Sequence, residues 1–233
     1  MEQNVLMKYM ERRYKEKQDK PPKKEPGPVV TISRETGCPA KRIARILNEK
    51  IDRINEEQNR EISWKRVSKE ILHESAKELN LDPSKIQYVF NYEEKGVWDE
   101  VFSSFSTRYY KSDRRIRRTI AEVIKGIANQ GNVIIIGRGG VAITKDIPKS
   151  LHINLVAPLE WRAIQVYRKT GKELKEAEEY CKDIDQKRKK LRESFQGKHT
   201  DYTWFDAYFN CMTLKDEEIA DSIIQLMKFK GLI

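Results

Sequence analysis

The sequence predicts an α/β protein: a mainly parallel sheet of about five strands, flanked by helices on both faces to give three layers. Val29–Ile32 and Val133–Ile136 are unbroken β-branched runs, the pattern of strands buried on both faces of a parallel sheet. "LHINLVAP", residues 151 to 158, repeats the idea twenty residues later. Between these runs, apolar residues recur at helical spacing. Strands and helices therefore alternate, which calls for right-handed crossovers within one sheet.

Residues 1–28 carry eight Lys/Arg against five Asp/Glu and end in "DKPPKKEPGP". Prolines there remove N–H donors and oppose a helix, so the segment reads as a basic, flexible extension. The domain then runs over residues 29–233. After the first strand comes a short loop around Gly37, then a helix whose buried stripe is Ile43, Ile46, Leu47, Ile51 and Ile54. "EISWKRVS", residues 61–68, reads as a short second strand. "KEILHESAKELNLD" follows with Ile71, Leu72, Ala76 and Leu79 on one helix face, stopping before Pro83. Residues 84–110, rich in aromatics and acids, give no clear pattern.

"RRIRRTIAEVIKGIANQG" is an amphipathic helix closed by Gly131. It leads into the strand at Val133 and the turn Gly137-Arg138-Gly139-Gly140. "PLEWRAIQVYRKTG" is the next helix, and residues 182–198 are a helical stretch with seven basic against three acidic side chains. A final strand lies within "AYFNCMTL", followed by a helix through Ile219, Ile223, Ile224 and Met227.

The formal net charge of +10 suits a phosphate-bearing partner, although with 35% charged residues most of these groups must simply be solvated. Cys38, Cys181 and Cys211 are too scattered for a zinc site, and they suit a reduced, cytoplasmic protein. The three histidines stand alone and receive no role. The longest apolar run is far too short to span a membrane.

A strand, a glycine-bearing loop and a helix in succession form a phosphate-binding arrangement, with anions favoured at the helix N-terminus. The strict phosphate-loop spacing, Gly-x-x-x-x-Gly-Lys-Ser/Thr, is absent. Four pieces nevertheless occur in a telling order: "ISRETGCPAKRIA", "IIIGRGG", "LVAPLEWRA" with "KDIDQKRKKLRE", and "FNCMTL". Together they resemble the cytidylate kinase-like family, relatives of the nucleoside monophosphate kinases with a P-loop kinase-like fold and a helical lid. The resemblance spans about residues 29–228.

That resemblance implies a phosphotransferase moving the γ-phosphoryl group of ATP, with Mg²⁺, to a nucleoside monophosphate or similar small acceptor. It implies nucleotide contacts from Arg34, Glu35, Gly37, Lys41, Arg42, Gly137 and Arg162. Arg138 matches the arginine that holds the acceptor phosphate, a role suited to a guanidinium fork. Arg188 and Arg192, one turn apart, resemble lid arginines, with Asp183 and Asp185 spacing them, and the lid covers about residues 170–200. Lys41, Arg138, Arg188 and Arg192 are thus the expected catalytic set.

The sequence also departs from the family pattern. Ala40 stands where the phosphate-gripping lysine is expected, and Lys41 or Arg42 is the candidate replacement. Pro39 deletes one N–H from the loop, while Ser68 and Gly139 stand where aspartates are usual. Two other readings stay open: a kinase-like protein that binds nucleotide without turnover, and a basic nucleic-acid-binding protein. The latter lacks a reading motif, and its aromatics are not interleaved with its basic runs.

Overall fold

A computed structural model describes residues 26–68, 70–78, 109–197, 199 and 201–233. The strands are β1 (Val29–Arg34), β2 (Lys65–Val67), β3 (Val133–Ile136), β4 (Ser150–Val156) and β5 (Ala207–Asn210). The helices are α1 (Ala40–Glu57), α2 (Glu70–Glu78), α3 (Tyr109–Gln130), α4 (Gly140–Thr144), α5 (Leu159–Thr170), α6 (Leu174–Gln196) and α7 (Asp216–Phe229). The strands form one sheet in the order β2-β3-β1-β4-β5, and every pairing is parallel.

The two-residue period of β1 divides the core. Val30 and Ile32 join Ile134, Leu151 and Ile153 in a cluster closed by Ile43 and Leu47 of α1 and Ile219 and Ile223 of α7. Val29 points the other way, with Val133 and Ile135, into a cluster closed by Ile71, Ile120, Ile124 and Leu191. Each fully buried aliphatic side chain contributes about 1.5–3 kcal/mol relative to exposure, so both helical layers are anchored through the same central strands. Ion pairs join α1 to α7 at their edges: Arg42 with Asp216, and Lys50 with Asp221 at 2.6 Å.

The expected three-layer α/β architecture is present, with differences in detail. β1 extends two residues beyond Ile32, and β2 is only three residues long, its first residue bonding to the Asn132 carbonyl. The short helix α4 was not expected, because the glycines of "GRGG" read as a turn. The basic stretch is part of a 23-residue helix, α6, whose Ala177, Cys181, Ile184 and Leu191 are buried. Leu79, residues 84–108 and residues 1–25 of the N-terminal extension lie outside the described residues. No described helix is long and apolar enough to cross a membrane.

Candidate functional site

Because all five strands run parallel, their C-terminal ends share one edge of the sheet, where ligands bind in open α/β folds. That edge gathers the β1–α1 loop (residues 35–39), Ser68 after β2, Gly137–Gly139 after β3, Ala157 and Pro158 after β4, and Cys211 after β5.

The β1–α1 loop is held from two helices. Asp185 of α6 accepts hydrogen bonds from both the backbone N–H and the hydroxyl of Thr36, each at 2.7 Å and both through Oδ1. Its Oδ2 receives the Arg162 Nη1 at 2.7 Å. Arg162, at the start of α5, is buried. Its Nε donates to the Ala157 carbonyl at 2.8 Å and lies 3.3 Å from Glu35. Glu35 also accepts from the Ala157 N–H at 3.1 Å. Arg188 donates through Nη1 to the Thr36 hydroxyl oxygen at 3.0 Å and to the Arg34 carbonyl at 3.2 Å.

Gly37 has φ +99°, and a Cβ there would lie 2.7 Å from the Arg162 carbonyl oxygen. A side chain would thus push the loop off α5, so glycine is required by packing as well as by backbone conformation. Pro39 forms the N-cap of α1 without an N–H of its own, and Ala40 N–H turns back to the Cys38 carbonyl at 3.0 Å. This helix start therefore offers an anion fewer backbone donors than an unmodified phosphate loop would.

At the end of β3, Gly137, Arg138 and Gly139 occupy the left-handed region in succession, with φ +69°, +57° and +72°. A non-glycine residue held there is uncommon and points to a local constraint. Arg138 donates through Nε to the Ser68 carbonyl at 3.3 Å, which ties the ends of β3 and β2 together. A side chain on Gly137 would collide with the Arg34 guanidinium, so Arg34 lies directly over this turn. A Cβ on Gly139 would meet the Phe195 ring of α6 at 2.6 Å.

The expected site residues therefore divide into groups. Arg34, Glu35, Gly37, Arg162 and Arg188 meet around the β1–α1 loop, and Gly137 joins them through Arg34, while Arg138 turns to the Ser68 carbonyl. Lys41 is exposed on the first turn of α1. Arg42 turns away to pair with Asp216, and that hydrogen bond raises its pKa. Arg192 lies further along α6, where its charge acts on the Tyr208 phenol of β5. Arg162, implied as a nucleotide contact, is buried among the groups that fix the loop. Arg34, Arg138, Arg162 and Arg188 thus stand at this edge beside Glu35 and Asp185.

Sequence reasoning missed Thr36 as the residue that anchors the loop to α6. Nothing local marks Thr36, because its partner is 149 residues away. Among the described residues no cluster of three or more His, Cys, Asp or Glu offers a metal site.

The chain is similar in fold to a crystal structure of an uncharacterized protein from Eubacterium ventriosum. The TM-score is 0.59 and the identity 20%, over 86% of this chain and 98% of the other. A shikimate kinase from Acinetobacter baumannii, solved with shikimate, aligns with a TM-score of 0.48 and 13% identity over 90% of this chain and 97% of its own. None of the curated proteins matches. The model of the cytidylate kinase-like family matches residues 29–213, and the chain belongs to that family.

Proposed function

We propose that this protein transfers the γ-phosphoryl group of ATP to a nucleoside monophosphate or a similar small acceptor. The observation that carries the reading is the gathering of three arginines at the C-terminal edge of a parallel sheet: Arg188 bonds the β1–α1 loop, Arg34 lies over Gly137, and Arg138 bonds the Ser68 carbonyl. Phosphoryl transfer requires little covalent chemistry from a protein. Positioning and positive charge around the equatorial oxygens supply most of the rate.

In this reading Lys41 supplies charge to the ATP phosphates in place of the lysine absent at Ala40. Arg138, at the end of β3, receives the acceptor phosphate. Arg188 and Arg192 bring the lid charge, with α6 as the lid helix. Arg162 positions the loop by holding Glu35, Asp185 and the Ala157 carbonyl. The two carboxylates beside the loop, Glu35 and Asp185, are both engaged by Arg162. The described residues thus provide no dedicated Mg²⁺ cage, and the ion would enter as part of MgATP.

A second reading, nucleotide binding without turnover, is favoured by one observation: Asp185 already takes the Thr36 N–H, and Pro39 offers none. Steady-state ATP consumption against a panel of monophosphates separates the two. Acceptor-dependent consumption supports the transferase. A rise in melting temperature with ATP but no consumption supports the binder, because a ligand of the folded state adds RT ln(1 + [L]/Kd) of stability. Absence of both effects defeats the two readings together.

A further inference from the structure

His152 is buried on β4, and only one of its two ring nitrogens has a partner. Nδ1 lies 2.8 Å from the hydroxyl of Thr31, its neighbour across the parallel pairing of β1 and β4. Nε2 has none, although the residue is only 5% exposed. Thr31 makes no other side-chain hydrogen bond among the described residues, so its hydroxyl hydrogen is assigned to Nδ1, and Nε2 carries the ring N–H. A buried donor without an acceptor is rare in a native fold and calls for an explanation.

A cavity lies against this residue. It holds about 420 Å³, within the range of small-molecule sites, and its walls include Lys145 and Pro148 ahead of β4, Ser150 and His152 on β4, and Thr203 and Trp204 ahead of β5. Ser150 and His152 are two residues apart and therefore share a face of the sheet. The cavity sits at the start of β4, whereas the arginines of the candidate phosphoryl site stand at the far edge of the sheet, about 20 Å along this seven-residue strand.

The charges on its walls are unequally matched. Lys230 Nζ lies 2.6 Å from Asp206 Oδ1, and the other Asp206 oxygen accepts the His152 backbone N–H at 2.7 Å. Lys145 has no such partner. Its side chain is 21% exposed, its ammonium sits 5.2 Å from the centre of the Trp204 ring, and the exposed Asp146 carboxylate is 4.0 Å away. Neither contact is a hydrogen bond, so the ammonium keeps donors to offer.

We propose that this cavity binds a small organic carboxylate, held by the Lys145 ammonium and the His152 Nε2–H, with the Ser150 and Thr203 hydroxyls as further donors. A single negative charge matches the wall, because Lys230 and Asp206 offset one another and Lys145 is left over. A phosphate dianion would bring a second negative charge close to Asp206. His152 serves as a neutral donor, since burial lowers its pKa to about 4.

The test is nuclear magnetic resonance of the imidazole nitrogens in the ¹⁵N-histidine-labelled full chain, titrated at constant ionic strength with acetate, benzoate and inorganic phosphate. The expected result is a protonated Nε2 in His152 whose signal shifts saturably with at least one carboxylate, while His73 and His199 stay in place. Affinity should fall at least tenfold in Lys145→Met, persist in Lys145→Arg, and be unchanged in Lys125→Met on α3. An unprotonated Nε2, no saturable shift with either carboxylate, tighter binding of phosphate than of both, or full affinity in Lys145→Met would each overturn the proposal. No nucleotide enters the measurement, so it stands or falls separately from the phosphotransferase reading.

Discussion

Thr36 and Asp185 are joined twice, the backbone N–H and the hydroxyl of one residue both donating to a single carboxylate oxygen of the other at 2.7 Å. This contact ties the loop after β1 to the basic helix α6. Hydrogen bonds to a charged group are worth about 1.5–3 kcal/mol, and Arg162 would lose its shortest partner as well. Asp185→Ala should therefore lower stability by about 2 kcal/mol, roughly 4–8 °C in Tm for a chain of this size. Thermal unfolding followed by circular dichroism measures it. An unchanged Tm would mean that Arg162 and Glu35 hold the loop by themselves.

Lys41 and Arg42 are no longer equivalent candidates for the missing lysine. Arg42 is engaged with Asp216 of α7, whereas Lys41 is exposed on the first turn, and adjacent helical residues point about 100° apart. Lys41→Met should weaken ATP binding by about ten- to a hundredfold, the worth of one charge-assisted bond to phosphate. Arg42→Met should change it little, as should Lys50→Met, whose partner is Asp221. Calorimetric titration of the three variants with ATP tests the ranking, and equal affinities would remove Lys41 from the site.

Arg138→Ala should raise the acceptor KM or lower kcat while leaving ATP affinity nearly unchanged. Arg138→Lys keeps the charge but loses the bidentate fork, so it should recover only part of the loss. Initial-rate kinetics with each substrate varied in turn gives the split. Equal loss toward both substrates would instead indicate that the Arg138–Ser68 tie between β3 and β2 had failed.

The strands that order the sheet were legible because burial on both faces leaves unbroken β-branched runs, as at Val29–Ile32 and Val133–Ile136. β2 was overestimated, because its three paired residues sit in a polar stretch where pairing, not composition, sets the ends. In α6 the buried positions Ala177, Cys181, Ile184 and Leu191 are diluted by charge, so the stretch resembled a solvated face. At the site, the arginines were legible through motif order. Their partners were not, because contacts such as Thr36 with Asp185 and Arg138 with Ser68 arise only once the strands are ordered. Gly37 was legible as a loop glycine, but the α5 backbone that requires it was not.

His152 supplies a pH dependence unrelated to the site. It is buried on β4, its Nδ1 lies 2.8 Å from the Thr31 hydroxyl, and burial lowers its pKa to about 4. Nearby Asp206 opposes that shift and Lys230 adds to it. The unfolded chain, with an ordinary histidine near 6.5, binds the proton first, so stability falls as pH drops from about 6.5 toward 4. The full contribution is about 3 kcal/mol. Urea unfolding at a series of pH values should show this slope in the wild type and a shallower one in His152→Gln. Identical slopes would assign the dependence to carboxylates instead.

The most direct measurement is transfer of label from γ-labelled ATP to each of a panel of nucleoside monophosphates, with products separated by chromatography. The account predicts label in a diphosphate product for at least one acceptor, and its loss in both Arg138→Ala and Arg188→Ala. Label that stays in ATP, or appears only as inorganic phosphate regardless of acceptor, would contradict it.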